Sequence, residues 1–256
     1  MTGISKKVLS GLVLLAVWLL AWQTAFELLG KESWQFAPPA AVFQALWEGV
    51  ADKSFLEALW ASLCRIACGF GLALVLGSVL GLLLACSRTC NWLAGPLVLG
   101  VQSLPSICWM PVAVLWFGLN ERAILFVVLM GSLGSISMAT RDGLRQVPVA
   151  YQRVASTFGA SLTQRLLWVS LPAAFPVFIS GLKQGWSFAW RSLLAGELLY
   201  GVAGMGGLLT MARDLADYAR MFAAMIVVVS VSVLVDRAIF SRLEQYVRER
   251  WGLAAR

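Results

Sequence analysis

Lys183, Ser187 and Arg191 recur at four-residue spacing, so on a helix they share one broad face, with Gln184 alongside. Such a face offers positive charge and N–H and O–H donors, which suits an anionic solute. Glu197 follows in the same apolar stretch, and Arg65 stands at the start of an earlier one. Charges embedded in runs this apolar are costly and usually face a bundle interior or water. The same residues admit a structural reading, with Lys183 snorkelling to an interface and Arg191 pairing with Glu197 of another copy or capping a carbonyl. Gly181 and Gly185 share a face of that helix and would let a neighbouring helix approach closely.

Other chemistry is poorly supplied. There is no His, which removes the commonest general base and metal ligand. Cys64/Cys68 and Cys86/Cys90 are each four apart and would each share a helix face, but no carboxylate or His completes a metal site. They and Cys108 read as small, buried, apolar residues. The glycines of Gly201–Gly207 follow no strand and precede no acid at dinucleotide-binding distance, and no Walker Lys-Ser/Thr is present, so this chain hydrolyses no ATP. A tight turn accounts for them better.

The elements that must position this face are membrane helices. The 256 residues are 60% hydrophobic and only 13% charged. Their mean hydropathy is +0.80. A soluble domain carries about 25% charged residues, so the solvent for most of the chain is lipid. The net charge of +7 is scattered between hydrophobic runs, which argues against nucleic acid as a partner. Six apolar stretches stand out: Val8–Leu29, Ile66–Cys86, Leu93–Leu119, Ala123–Thr140, Leu166–Leu199 and Met221–Phe240. A span needs about 20 such residues, so the last, uncharged only over Met221–Val235, must borrow from its flanks.

With the N-terminus inside, Lys6, Lys7, Arg88, Arg141, Arg145, Arg153, Arg165, Arg237, Arg242, Arg248, Arg250 and Arg256 are cytoplasmic. Lys31, Lys53, Arg122, Arg213 and Arg220 are outside. This asymmetry predicts N-in, C-in. The first hydrophobic run exceeds the roughly 7–15-residue core of a signal peptide, so it reads as a retained span. Trp34, Trp60, Trp92 and Trp116 fall near span ends, where indoles anchor, whereas Trp109 and Trp190 lie deeper and pack between helices. Segment Ala40–Leu59 has Val42, Phe43, Leu46, Trp47 and Val50 at helical spacing and predicts an amphipathic outer helix. The fold class is thus all-α: a polytopic bundle of about six spans forming one domain over 1–256, with 1–60 as first span and outer segment, 61–240 as core and 241–256 as cytoplasmic tail.

The loop Arg141–Arg165 carries four Arg against one Asp. After Pro148, the residues Tyr151, Val154, Phe158 and Leu162 recur at helical spacing, and Gly159 then breaks or caps the helix. Leu171-Pro172 opens the next span. A short helix across the cytoplasmic face, held by a stiff turn, can pass rigid-body motion from a soluble subunit into a bundle.

Here the chain resembles the inner-membrane permease subunits of binding-protein-dependent ABC importers. Their loop signature is Glu-Ala-Ala, three residues, Gly, nine residues, Ile, one residue, Leu-Pro. Gly159 is followed by nine residues and then Val169-Ser170-Leu171-Pro172, with Ala155 as the closing alanine of the triplet. Arg153 replaces the family Glu and Val154 the first Ala. Leu104-Pro105-Ser106-Ile107-Cys108-Trp109-Met110-Pro111, with Leu115-Trp116-Phe117-Gly118, is similar to the third span of the nitrate/taurine/sulfonate branch. Gly204-Met205-Gly206-Gly207-Leu208 is similar to that branch's outer turn.

The resemblance implies a multi-pass permease of the bacterial inner membrane, working as a pair of usually identical copies. Two cytoplasmic ATPases, which hold the ATP and Mg, would grip Tyr151, Arg153, Val154, Ala155, Phe158, Gly159, Ala160 and Ser161, with Leu171 and Pro172 carrying the motion onward. The chain itself would bind no cofactor and no metal. An external binding protein would deliver a small anion, an aliphatic sulfonate, taurine or nitrate by branch similarity, past Lys183, Ser187, Arg191 and Glu197. A stand-alone secondary transporter or channel is the alternative. Against it stand the lack of an inverted repeat and the scarcity of acids for ion coupling. A membrane enzyme fits worse for want of His.

Overall fold

The computed structural model describes residues 2–30 and 37–250. Lys31, Trp34 and Arg256 lie outside the described residues, as do the side chains of Lys6, Lys7 and Arg248. Among the described residues every regular element is helical. In order these are α1 (Thr2–Ala25) running into a π-helical turn (Phe26–Gly30), α2 (Pro39–Ala51), α3 (Ser54–Cys86), α4 (Arg88–Ser103), a 3-10 turn (Ser106–Trp109), α5 (Met110–Phe117) and α6 (Glu121–Arg145). There follow α7 (Val149–Thr157), α8 (Leu162–Arg165), a π-helical turn (Leu166–Ser170), α9 (Leu171–Tyr200), α10 (Met205–Asp214), α11 (Tyr218–Val235), a π-helical turn (Asp236–Phe240) and α12 (Ser241–Arg250). Among the described residues five helical stretches are long and apolar enough to span a membrane, and α4 with the 3-10 turn and α5 makes a sixth if that bent pair is one span.

The chain forms two compact units, 1–60 with 201–229 and 61–200 with 230–256. In the first, Arg220 Nη2 donates to Ser54 Oγ at 2.7 Å and to Asp52 Oδ2 at 3.3 Å. Its guanidinium also lies 5.9 Å from the Phe55 ring centroid. The Ser54 hydroxyl and N–H, and then Arg220, hold the Asp52 carboxyl below its ordinary 3.8. Arg220, in the first turn of α11, thus meets the turn between α2 and α3 that contains Lys53.

The second unit is built on α6 and α9. α6 is the most enclosed span, and Gly181 of α9 touches Ala139 so closely that a Cβ would overlap the Ala139 Cβ. Gly185 meets Ile136, with a Cβ only 3.1 Å from its Cγ1. The small-residue seam read from the sequence is therefore real. Trp190 is buried and Trp109 packs edge-on to Phe126. Trp60, Trp92 and Trp116 are exposed.

Several boundaries differ from the sequence reading, each for a local reason. The amphipathic outer helix ends at Ala51 rather than Leu59, because Lys53 takes a positive φ and Asp52 Oδ1 accepts the Ser54 N–H at 2.8 Å. The second span therefore starts at Ser54, which puts Arg65 well inside it. The third span is two helices bent by 102°. Pro105 forces Leu104 into extended backbone at ψ 129, and Leu104–Pro105 breaks the ladder. The fourth span is longer at both ends, opened by Asn120, whose side chain accepts the Arg122 N–H at 2.9 Å.

The fifth stretch is helical from Leu162, before Leu171-Pro172. The wider π turn ending at Ser170 lets Pro172, which has no N–H to give, sit within a continuous helix. The sixth continues through the third π turn, Asp236–Phe240, into α12, so much of the expected tail is helix. Cys86 ends α3 while Cys90 lies in α4 beyond the Ser87 cap, so these two do not share a helix face. All five cysteines are exposed on the isolated chain rather than buried, as expected of surfaces that meet lipid or another subunit. The glycine segment is a turn only at its start. Gly201 has φ 59, but Gly206 and Gly207 lie in α10.

Candidate functional site

Lys183, Ser187 and Arg191 lie along one face of α9, as their spacing predicts. Lys183 opens onto a groove of about 510 Å³ lined by Ser180, Gln184, Trp186 and Ser187 of α9 and by Ser232 and Asp236. Lys183 Nζ is 3.1 Å from Asp236 Oδ1, and both side chains remain over a third exposed, at 39% and 35%. Arg191 Nη2 donates to Ser187 Oγ at 3.1 Å, and its guanidinium lies 5.2 Å from the Phe188 ring centroid. Arg191 lines a different cavity, of about 330 Å³, whose other walls include Gln102, Pro105, Ser106 and Gly131. The Leu104–Pro105 break is part of that wall, so the bend in the third span shapes the space before Arg191. Gln102 Oε1 is buried there with no partner among the described residues.

Glu197 is not brought to either cavity. It is fully buried, and Arg65 Nη1 donates to its Oε1 at 2.9 Å. Ser62 Oγ lies 2.8 Å from each of its carboxylate oxygens. Arg65 Nη2 reaches the exposed Glu121 Oε1 at 2.9 Å. The partner of Glu197 is thus Arg65 of the same chain, not Arg191 of another. Asp236 was missed because the sixth apolar run is uncharged only up to Val235. The signal was there: a span too short to cross unless extended places an acid inside it, and an embedded acid needs a cation.

The short helix of the basic loop is present as α7, one residue short of Phe158. Gly159 has φ 77 and open space around its Cβ position, so its requirement is conformational rather than steric. Ala160 N–H donates to Ala155 O at 3.1 Å across this corner. Ser161 and Gln164 form a reciprocal capping box that restarts the helix, at 3.3 and 2.8 Å. Tyr151, Val154 and Phe158 are exposed, Phe158 at 86%, and Arg153 is also exposed. Leu171 and Pro172 line an apolar cavity of about 520 Å³ with Leu144, Ala174 and Phe175, where α9 meets the end of α6. The short helix thus presents an exposed apolar patch on a stretch covalently continuous with the span that carries Lys183, the kind of surface that marks an interaction site rather than a core element.

Long apolar helices, one of them carrying two cations that border cavities, have the make-up of a membrane permease. Residues 73–248 match the family of binding-protein-dependent transport system inner membrane components, and the chain belongs to that family. It is 30% identical over 197 residues to the bicarbonate transport system permease protein CmpB of Synechococcus elongatus, covering 77% of this chain and 71% of that one. It is 29% identical to the nitrate import permease protein NrtB of Synechocystis, covering 92% and 88% of the two. To the taurine transport system permease protein TauC of Escherichia coli it is 27% identical, covering 94% and 90%. Its fold is similar to a chain of the MetNI methionine ABC transporter in an inward-facing conformation, with a TM-score of 0.65 at 18% identity over 75% of this chain and 95% of that one. The chain is therefore a multi-pass inner-membrane ABC permease component of the nitrate/taurine branch and not itself the catalytic subunit.

Proposed function

We propose that this chain carries a small anion through the face formed by Lys183, Ser187 and Arg191, with a sulfonate, taurine or nitrate as the first choices of cargo. The observation that carries this reading is the line of donors on α9 that opens onto two cavities with polar side chains in their walls. The named cargoes of the similar permeases, bicarbonate, nitrate and taurine, fit the same chemistry. In this reading the N- and C-termini are cytoplasmic and two copies of the chain form the pathway. An external binding protein delivers the cargo, and two ATPases holding ATP and Mg seat α7 through Tyr151, Val154 and Phe158. Differential affinity of these partners for the inward and outward states supplies the shift. Glu197 we assign instead to holding α3, α6 and α9 together through Arg65.

The test is uptake by the permease reconstituted with its ATPase and binding protein, over nitrate, taurine, alkyl sulfonates and bicarbonate. Arg191→Gln is expected to lower uptake about 10–100-fold while the complex still assembles, the loss expected of one charged hydrogen bond. Normal uptake would remove Arg191 from the pathway. Gly159→Leu, strained at a left-handed backbone position, is expected to separate ATP hydrolysis from uptake with the chain still in the membrane. Unchanged coupling would remove α7 from the lever role. Uptake into liposomes by the chain alone, without ATP, would favour the stand-alone transporter.

A further inference from the structure

The groove beside Lys183 carries one ammonium and the polar side chains of Ser180, Gln184, Ser187 and Ser232 among apolar walls, and among the described residues that line it Asp236 is the sole acid. Its carboxylate sits on the one ammonium, at 3.1 Å. Trp186 lines the same groove, and its indole N–H is buried without a partner among the described residues. A cation, several donors and a single carboxylate on the cation describe an anion site with its own occupant. Asp236 also has somewhere to go. It opens the π turn Asp236–Phe240, and Ser241 Oγ lies 3.5 Å from its other oxygen. A π turn inside a long helix is a local irregularity often found at functional sites.

We propose that Asp236 is an internal counter-anion: it holds Lys183 while the groove is empty and is displaced when the cargo anion binds. Asp236 then sets how strongly an anion must bind to enter. The inference rests on the anion reading above and adds a residue and a mode of selection to it. A carboxylate tethered beside the ammonium competes at high effective concentration. Cargo reaches Lys183 only in the fraction of molecules whose ion pair is open. With about a tenth of molecules open, removing the carboxylate tightens anion binding about tenfold.

The experiment uses the permease assembled with its ATPase subunits in lipid nanodiscs, with nitrate as the probe. The readout is the nitrate-dependent rise in thermal unfolding midpoint at constant ionic strength. Asp236→Asn is expected to lower the half-saturating nitrate concentration about tenfold, Asp236→Glu to stay near the parent, and Lys183→Met to lose the saturable rise. If Lys183→Met loses the rise but Asp236→Asn leaves the half-saturation point unchanged or higher, the counter-anion role is overturned and the anion groove stands. If Lys183→Met binds nitrate as the parent does, the groove reading falls and this inference with it. An Asp236→Asn complex with no saturable rise overturns the proposal, because a freed Lys183 must take a small oxyanion. So does failure of Asp236→Asn to assemble where Asp236→Glu assembles, since the pair would then be a structural tie.

Discussion

Two ion clusters in the second unit use the same chemistry to opposite ends. Around Arg65, two carboxylates close on one guanidinium, and the Ser62 hydroxyl donates to the wholly buried one, Glu197. Around Lys183, one carboxylate meets one ammonium and both stay over a third open. Arg presents a rigid fork that can hold two acids at once, whereas Lys is a point charge whose single partner can be exchanged. The first cluster is over-determined and fixes three helices. The second is under-determined and leaves room for a competitor. Embedded charge by itself therefore does not mark a pathway; the exposure and number of partners separate a strut from a site.

Breaking the strut should have the largest effect. Glu197→Ala takes the buried acid from the buried Arg65, and is expected to cost about 3–5 kcal/mol. Thermal unfolding in detergent reads this, and the double replacement of Arg65 by Met and Glu197 by Leu should recover most of the loss. A cost for Glu197→Ala no larger than that of a surface pair would erase the distinction. At the open pair, Asp236→Asn is expected to cost at most about 1 kcal/mol in the same assay. A loss comparable to that of Glu197→Ala would make both clusters struts.

The smallest effect belongs to a third, peripheral cluster, Asp52 with Ser54 and Arg220. Its carboxyl is held below 3.8, so its stabilisation is complete at neutral pH. That stabilisation fades as pH falls below 3.8 through the lowered folded value. Protection of the Ser54 amide against hydrogen exchange, relative to the intrinsic rate at each pH, should fall over that window, and Asp52→Asn should abolish that fall while leaving uptake unchanged.

What the sequence disclosed was periodic. The apolar runs placed five spans, four-residue spacing put Lys183, Ser187 and Arg191 on one face, and the small-residue pair Gly181 and Gly185 announced a close helix contact. The loop helix was legible because Pro148 and Gly159 bracket its apolar repeat. What stayed hidden was non-periodic. The 102° bend turns on one dipeptide, Leu104–Pro105, within an uncharged run. The pairing of Arg65 with Glu197 joins residues 132 positions apart, and no local pattern encodes it. Asp236 lies inside the sixth stretch as read, Met221–Phe240, but nothing in its local spacing points to Lys183, 53 positions earlier, so the pairing stayed concealed.

The contact of Gly181 with Ala139 bears on stiffness. With no side chain on Gly181, the Ala139 methyl rests directly on the α9 backbone and leaves no slack in which to slide, and Gly185 repeats the constraint one turn further along against Ile136. α6 and α9 then behave as one plate rather than two rods. Such a plate has few soft modes, so thermal agitation cannot easily stir the Lys183 face independently of Leu171 at the other end. Ordered movement of that face requires a torque on the whole plate, and noise confined to one helix is rejected.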